Sequence, residues 1–283
     1  MSFTTIGEEI SMVISSDPAV GAINRSADGS YFEIQLQEAL KMPKDCLNVS
    51  VSVEEASIWW VIPNIITGKN DKIYITGFDK NDVLTNYIIV IPQGLYDLIG
   101  LNQAVLRELE NQGAKIKDGT KDLPLLSLNA DDATQRVELR FNYTNVSVDF
   151  RYTDTFREIL GFNSDLYGNY AIVPFNLVAP NVAEFNSVNY FLLHSDLVNK
   201  GILFNNSYNQ SISQVLIDVP AGSQITYKPF NPPRIQADEL RGATRSLLRF
   251  WITDDKNRPV NTNQEYFTAR IVIRFLKPYL MGK

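Results

Sequence analysis

The chain has 283 residues, 45% of them hydrophobic, which is enough for one large core or two modest ones. A net charge of −6 and a pI near 5.0 argue against binding to nucleic acid or to an anionic membrane surface. A single cysteine, Cys46, excludes an intrachain disulfide, and with His194 as the one histidine the ligands of an ordinary zinc site are missing.

In chain order, Met1–Ile10 lacks a basic segment followed by an apolar one, so no signal peptide is expected. Residues 1–30 read as a polar N-terminal arm leading into a first strand, Tyr31–Leu36. Leu47–Val53 alternates cleanly, and Ala56–Ile62 forms a further strand that Pro63 ends, because proline brings no amide proton to the ladder. This apolar run is far too short to cross a bilayer. Asp71–Thr76 and Asn86–Ile91 make a hairpin around the polar turn Phe78–Asp82.

The period then changes. Leu98, Leu101, Val105 and Leu109 share one face at helical spacing, with Gly113 as the stop. Leu123–Leu128, Arg136–Phe141 and Val146–Phe150 return to strand. Thr153–Phe162 reads as a short helix with a Thr cap, Glu158 three residues after Thr155, and Gly161 at its end. Ala171–Phe175, Val188–His194, Ser213–Val219 and Gln224–Pro229 follow as strands, and Asn231–Arg234 is a break. The closing pair is the clearest signal: Leu248, Phe250 and Ile252 alternate with polar or outward residues, as do Phe267, Ala269, Ile271, Ile273 and Phe275. Many short strands between Pro and Gly turns predict a mainly β fold, one β-sandwich built by both ends of the chain, with a mixed α/β segment inserted between them.

Catalytic chemistry is scarce. His194 at a strand end reads as a hydrogen-bonded structural histidine. Its neighbours Ser195 and Asp196 do not make a triad, because adjacent strand residues point to opposite faces. The carboxylate pairs are Glu54–Glu55, Asp131–Asp132 and Asp254–Asp255, and the last two read as Asx turns between strands. No phosphate-binding loop, dinucleotide fingerprint or EF-hand spacing is present. Trp59–Trp60 on a strand places one ring inward and one outward, and the outward ring is either an interface anchor or covered by the inserted segment. Arg234, Arg241, Arg245 and Arg249 form a locally basic stretch.

Three blocks of the chain resemble the minor capsid, or penton, proteins of virophages and Polinton-like viruses. They are Gly29–Leu36 with Leu47–Val53 and Ala56–Ile65; Ile91–Tyr96 before a helix, with Asp149–Phe150 ahead of Ile159–Phe162; and Phe250–Asp255 followed by Arg258–Val260 and a long strand. The resemblance implies a single jelly-roll β-sandwich with a mixed α/β insertion, a structural role with no catalytic residues and no cofactor, and homopentamers at the fivefold vertices of an icosahedral capsid beside trimeric double-jelly-roll major capsid proteins. The expected division is an arm at 1–30, a jelly roll from 31–67 and 166–283, and an insertion at 68–165.

Expected interface residues are one ring of Trp59–Trp60, together with Arg241, Arg245, Arg249 and the loop aromatics Tyr167 and Tyr170. Synthesis in host cytoplasm or nucleus, no membrane span and no specific nucleic-acid binding complete the expectation. The alternatives are a sandwich module recognising host-surface glycan or another capsid protein, and a hydrolase using Asp131 or Asp254.

Overall fold

The computed structural model describes residues 3–280 except 116, 119–120, 132 and 187. The first strands are β1 (Phe3–Ser15), β2 (Ala22–Ile23), β3 (Tyr31–Lys41) and β4 (Leu47–Trp59). Then come β5 (Lys72–Phe78), β6 (Leu84–Val90), helix α1 (Leu98–Asn111), and the two-residue strands β7 (Lys117–Asp118) and β8 (Lys121–Asp122). β9 (Leu126–Asp131), β10 (Arg136–Phe141), β11 (Ser147–Asp149), α2 (Arg157–Leu160), β12 (Leu166–Gly168) and β13 (Phe175–Val178) complete the middle. The last third holds β14 (Tyr190–Ser195), β15 (Leu203–Phe204), β16 (Ser207–Tyr208), β17 (Ser211–Leu216) and β18 (Gln224–Tyr227). It ends with β19 (Ile235–Gln236), β20 (Thr244–Thr253) and β21 (Thr268–Leu280).

The chain forms two compact units, residues 1–62 with 188–283, and residues 63–187. In the first unit one sheet runs β1-β21-β4-β18, with β19 also on β4, and the other runs β17-β14-β20-β3-β2. Counting the eight principal strands along the chain, the two orders are 1-8-3-6 and 5-4-7-2, all antiparallel. That is the double Greek key of a jelly roll, with the second unit spliced into the link between β4 and β14.

The inner faces follow period 2. Leu248, Phe250 and Ile252 of β20 and Ala269, Ile271, Ile273 and Phe275 of β21 are all buried. Phe32 stacks on Phe250 at 5.6 Å within one sheet and meets the edge of Phe267, just before β21, at 5.3 Å. Val49, Val51 and Val53 point inward on β4, and so do Ala56, Ile58 and the following Trp60. The inward parity therefore flips between Val53 and Ala56. The register against β21 jumps there, with Val53 opposite Ile271 and Glu55 opposite Arg270. A β-bulge at Glu54 merges what the sequence shows as two strands into one.

Three expectations change. Residues 1–30 are not a free arm: β1 pairs with β21 from Phe3↔Leu280 to Ser15↔Thr268, a full strand of the jelly roll, and β2 pairs with β3. Ile10, Met12 and Ile14 carry a period-2 pattern, but Gly7, Glu8 and Glu9 interrupt it. The inserted unit spans 63–187 rather than 68–165, because β12 pairs with β11 and β13 with β10. Helix α2 covers only Arg157–Leu160 and has no side-chain cap. The Thr155 hydroxyl instead donates to the Tyr152 carbonyl at 3.0 Å, while Gly161 closes the turn at φ +80°.

The inserted unit has sheets β12-β11-β5-β6 and β13-β10-β9. Between β6 and β9 in the chain, α1 begins with Asp97 accepting from the Gly100 amide at 2.7 Å and buries Leu101, Ala104, Val105 and Leu109. These side chains join Ile73, Ile89, Leu128, Leu139 and Phe150 in one apolar cluster. No helix among the described residues is long and apolar enough to cross a membrane.

Candidate functional site

The residue types that catalysis would need are occupied structurally. His194 is buried and stacks on Trp251 at 5.2 Å and 3°. Its Nε2 lies 2.8 Å from Thr253 Oγ1, and that hydroxyl donates to Asn257 Oδ1 at 3.3 Å. The hydroxyl proton is thus committed, so Nε2–H donates and the imidazole is the neutral Nε2 tautomer. Nδ1 has no hydrogen-bond partner among the described residues.

Burial disfavours the imidazolium and lowers the His194 pKa from 6.5 to about 4. As pH falls below 6.5 the unfolded chain takes up a proton that the folded one refuses, so stability present above 6.5 is lost towards pH 4. A shift of this size is worth roughly 3 kcal/mol. The stability advantage of the wild type over His194→Gln should therefore shrink by about that amount between pH 7 and pH 4 in urea titrations, carboxylate effects cancelling in the difference. Parallel profiles would mean that His194 titrates alike in both states.

The carboxylate pairs make turns and ion pairs. Asp254 accepts from the amides of Lys256 at 2.9 Å and Arg258 at 2.8 Å, and from Arg258 Nε at 2.8 Å. Asp131 accepts from the Ala133 amide at 3.2 Å and the Thr134 hydroxyl at 2.6 Å, while Asp132 lies outside the described residues. Glu54 holds Arg274 at 2.9 Å and Glu55 holds Lys228 at 2.7 Å. No cluster of three or more His, Cys, Asp or Glu among the described residues is placed to hold a metal ion.

The expected interface residues fall into two groups. Trp60 is 3% exposed and packs on Phe191 at 6.1 Å, whereas Trp59 is 37% exposed. Tyr167 packs on Phe150 and Phe162, and Tyr170 stacks on Phe175 at 3.8 Å, so both rings are engaged inside the inserted unit. Arg241 is exposed and paired with Asp238, and Arg245 is half-buried on β20. Arg249 is exposed, bonded to Glu33 at 3.1 Å and 3.7 Å from Asp196. Hydrogen bonds from Tyr31, Asn24 and Arg249 hold the Glu33 carboxyl below its ordinary range. Arg241 and Arg249 thus sit among acidic partners of their own chain.

A different surface stands out on the β1-β21-β4-β18 sheet. A groove of about 700 Å³ crosses its outer face, lined by Gly7 and Glu9 on β1, Leu276 on β21, Ser50 on β4, Gln236 on β19, and Arg234. A second groove of about 240 Å³ lies on the same face, lined by Val13, Ser57, Thr226, Lys228 and Arg270. At one border is β1. The Ser16 amide donates to the Phe267 carbonyl at 2.9 Å, so even-numbered residues of β1 bond to β21. Gly7, Glu9, Ser11 and Val13 turn their backbone groups to the open edge.

At the other border the segment Lys228-Pro-Phe-Asn-Pro-Pro-Arg234 joins β18 to β19 and leaves Phe230 fully exposed, at 105%. Sequence reasoning passed over both borders. The available signal was a lone Phe among three prolines, where no strand can fold over it.

No family model and no curated protein matches the chain. Among solved structures it is similar to the mavirus penton protein in its crystal structure, with 13% identity, a TM-score of 0.43, and coverage of 96% of this chain and 99% of that one. It is also similar to a chain of the Sputnik virophage structure determined by cryo-EM, with 14% identity, a TM-score of 0.41, and coverage of 95% and 97%.

Proposed function

We propose that the chain is a structural capsid protein, the penton, which forms homopentamers at the fivefold vertices of a virion beside trimers of a double-jelly-roll major capsid protein. The observation that carries this reading is the jelly-roll strand order of the first unit, 1-8-3-6 over 5-4-7-2. It occurs in a chain whose sequence blocks resemble virophage pentons and whose one histidine and paired carboxylates serve structure. A jelly roll can offer one flank to the opposite flank of the next copy, a heterologous contact that closes when the rotation closes.

The test is the mass of the purified, untagged protein across concentration and salt, alone and with major capsid trimers. A species of about five times 32.0 kDa is expected. A strict monomer under every condition, the trimers included, would overturn the proposal.

The glycan-binding reading stands second, on one observation. Tyr152 is half-exposed and stacks on Tyr74 at 3.9 Å beside the Lys72–Asp154 ion pair, an apolar ring next to polar partners as sugar binding requires. A saturable sugar response with no change in mass would favour it.

A further inference from the structure

We propose that the contact between copies is a knob-in-groove joint. Phe230 of one copy seats in the β1 side of the 700 Å³ groove of the next, with Lys228 and Arg234 meeting Glu8 and Glu9. The inference rests on the ring reading and names the surface that makes the ring.

The knob is preorganised. Pro229, Pro232 and Pro233 flank Phe230 within five residues and fix three φ angles, so little backbone freedom is lost when the loop docks. A side chain exposed at 105% gains nothing from its own chain, and aromatic rings seated in pockets are the residue type that dominates interface energy.

The groove is open where it would be entered. Gly7 has no side chain, and a Cβ there would meet only Leu276 Cδ2, at 4.0 Å. The half-buried Leu276 beside Gly7 is the apolar part of the groove, and the outward amides and carbonyls of Gly7 and Glu9 are available to the incoming loop.

The charges are complementary across the two borders. Glu8 and Glu9 lie on β1, with side chains 44% and 56% exposed and loosely paired to Lys277 at 3.7 Å and Arg274 at 3.4 Å. Lys228 and Arg234 bracket Phe230, and the Lys228 side chain is 70% exposed and pairs with Glu55 of its own chain at 2.7 Å. The acidic border and the basic border lie at opposite edges of one sheet, so a second copy placed head to tail brings them together. Complementary rims of this kind fix register and reject wrong partners.

The experiment is mass photometry of the full chain against concentration, with tryptophan fluorescence confirming the fold of each variant. Phe230→Ala touches no core and should raise the concentration for half-assembly by at least about tenfold, the loss expected of an interface anchor. The pair Glu8→Lys with Glu9→Lys should do the same, and so should Lys228→Glu with Arg234→Glu. All four reversals in one chain should bring assembly back to within about threefold of wild type, because the pairing is restored with its sign exchanged. A wild-type ring unaffected by Phe230→Ala and by either charge pair overturns this joint and leaves the ring reading standing. A wild type that stays monomeric with and without major capsid trimers overturns both.

Discussion

Deleting residues 1–16 should abolish the folded jelly roll, read as loss of a cooperative urea transition in tryptophan fluorescence and loss of soluble protein. All three tryptophans, Trp59, Trp60 and Trp251, belong to the jelly-roll unit, so the signal reports that unit alone. The deletion removes β1, which pairs with β21 along all thirteen of its residues, and with it the buried side chain of Ile14 and the Ser16 hydroxyl that accepts from the Phe267 amide at 2.9 Å.

Each backbone hydrogen bond is worth about 1 kcal/mol net, and each large apolar side chain removed from a core costs about 2–5 kcal/mol. Together these losses approach the whole stability of a typical domain, about 5–15 kcal/mol. The exposed edge would then be β21 itself, whose Ile271, Val272 and Ile273 are all within 1% of full burial in the intact protein. A long apolar edge of that kind pairs with other chains. An unchanged urea midpoint after the deletion would show that the segment is a dispensable arm.

The second large effect is in the core. Phe250→Ala should lower the unfolding free energy of the jelly roll by about 3–5 kcal/mol, the range for deleting a buried aromatic ring. Phe250 is 0% exposed and sits in β20 between β3 and β14, stacked on Phe32, whose other neighbour is Phe267 near the second sheet. Both sheets are held by their own ladders, so the cavity cannot collapse freely and the cost belongs near the top of the range. Urea titration followed by tryptophan fluorescence gives the number. A loss under about 1 kcal/mol would mean that the sheets close over the gap.

The sequence shows most clearly what depends on side-chain period. β20 and β21 are legible because one residue in two faces the core over many residues, and α1 because Leu101, Val105 and Leu109 recur at helical spacing. What depends on distant pairing is not legible. β4 looks like two strands until the bulge opposite β21 reconciles the parity of Val53 with that of Ala56. β1 carries its pattern weakly, and its partner lies more than 250 residues away. β12 and β13 look like jelly-roll strands, but their hydrogen bonds go to β11 and β10.

The candidate surface follows the same division. That one ring of Trp59–Trp60 faces outward could be read from alternation, and the arginine cluster could be read as charge. The pairing of Arg241 and Arg249 with Asp238, Glu33 and Asp196 could not. Phe230 gains meaning only once the strands around it are seen to leave it uncovered.

The place of β21 between β1 and β4 sets a timetable for synthesis. Both neighbours leave the ribosome more than 200 residues before the strand that joins them. The inserted unit, compact over residues 63–187, is complete while the jelly roll still lacks the middle of one sheet. Until β21 emerges, β1 and β4 share no neighbour, and their apolar faces wait open. Closure is therefore a late event dominated by contacts distant in sequence, the kind that forms slowly and exposes unpaired strand edges meanwhile. A folded insertion beside an unclosed jelly roll is the nascent state this topology requires.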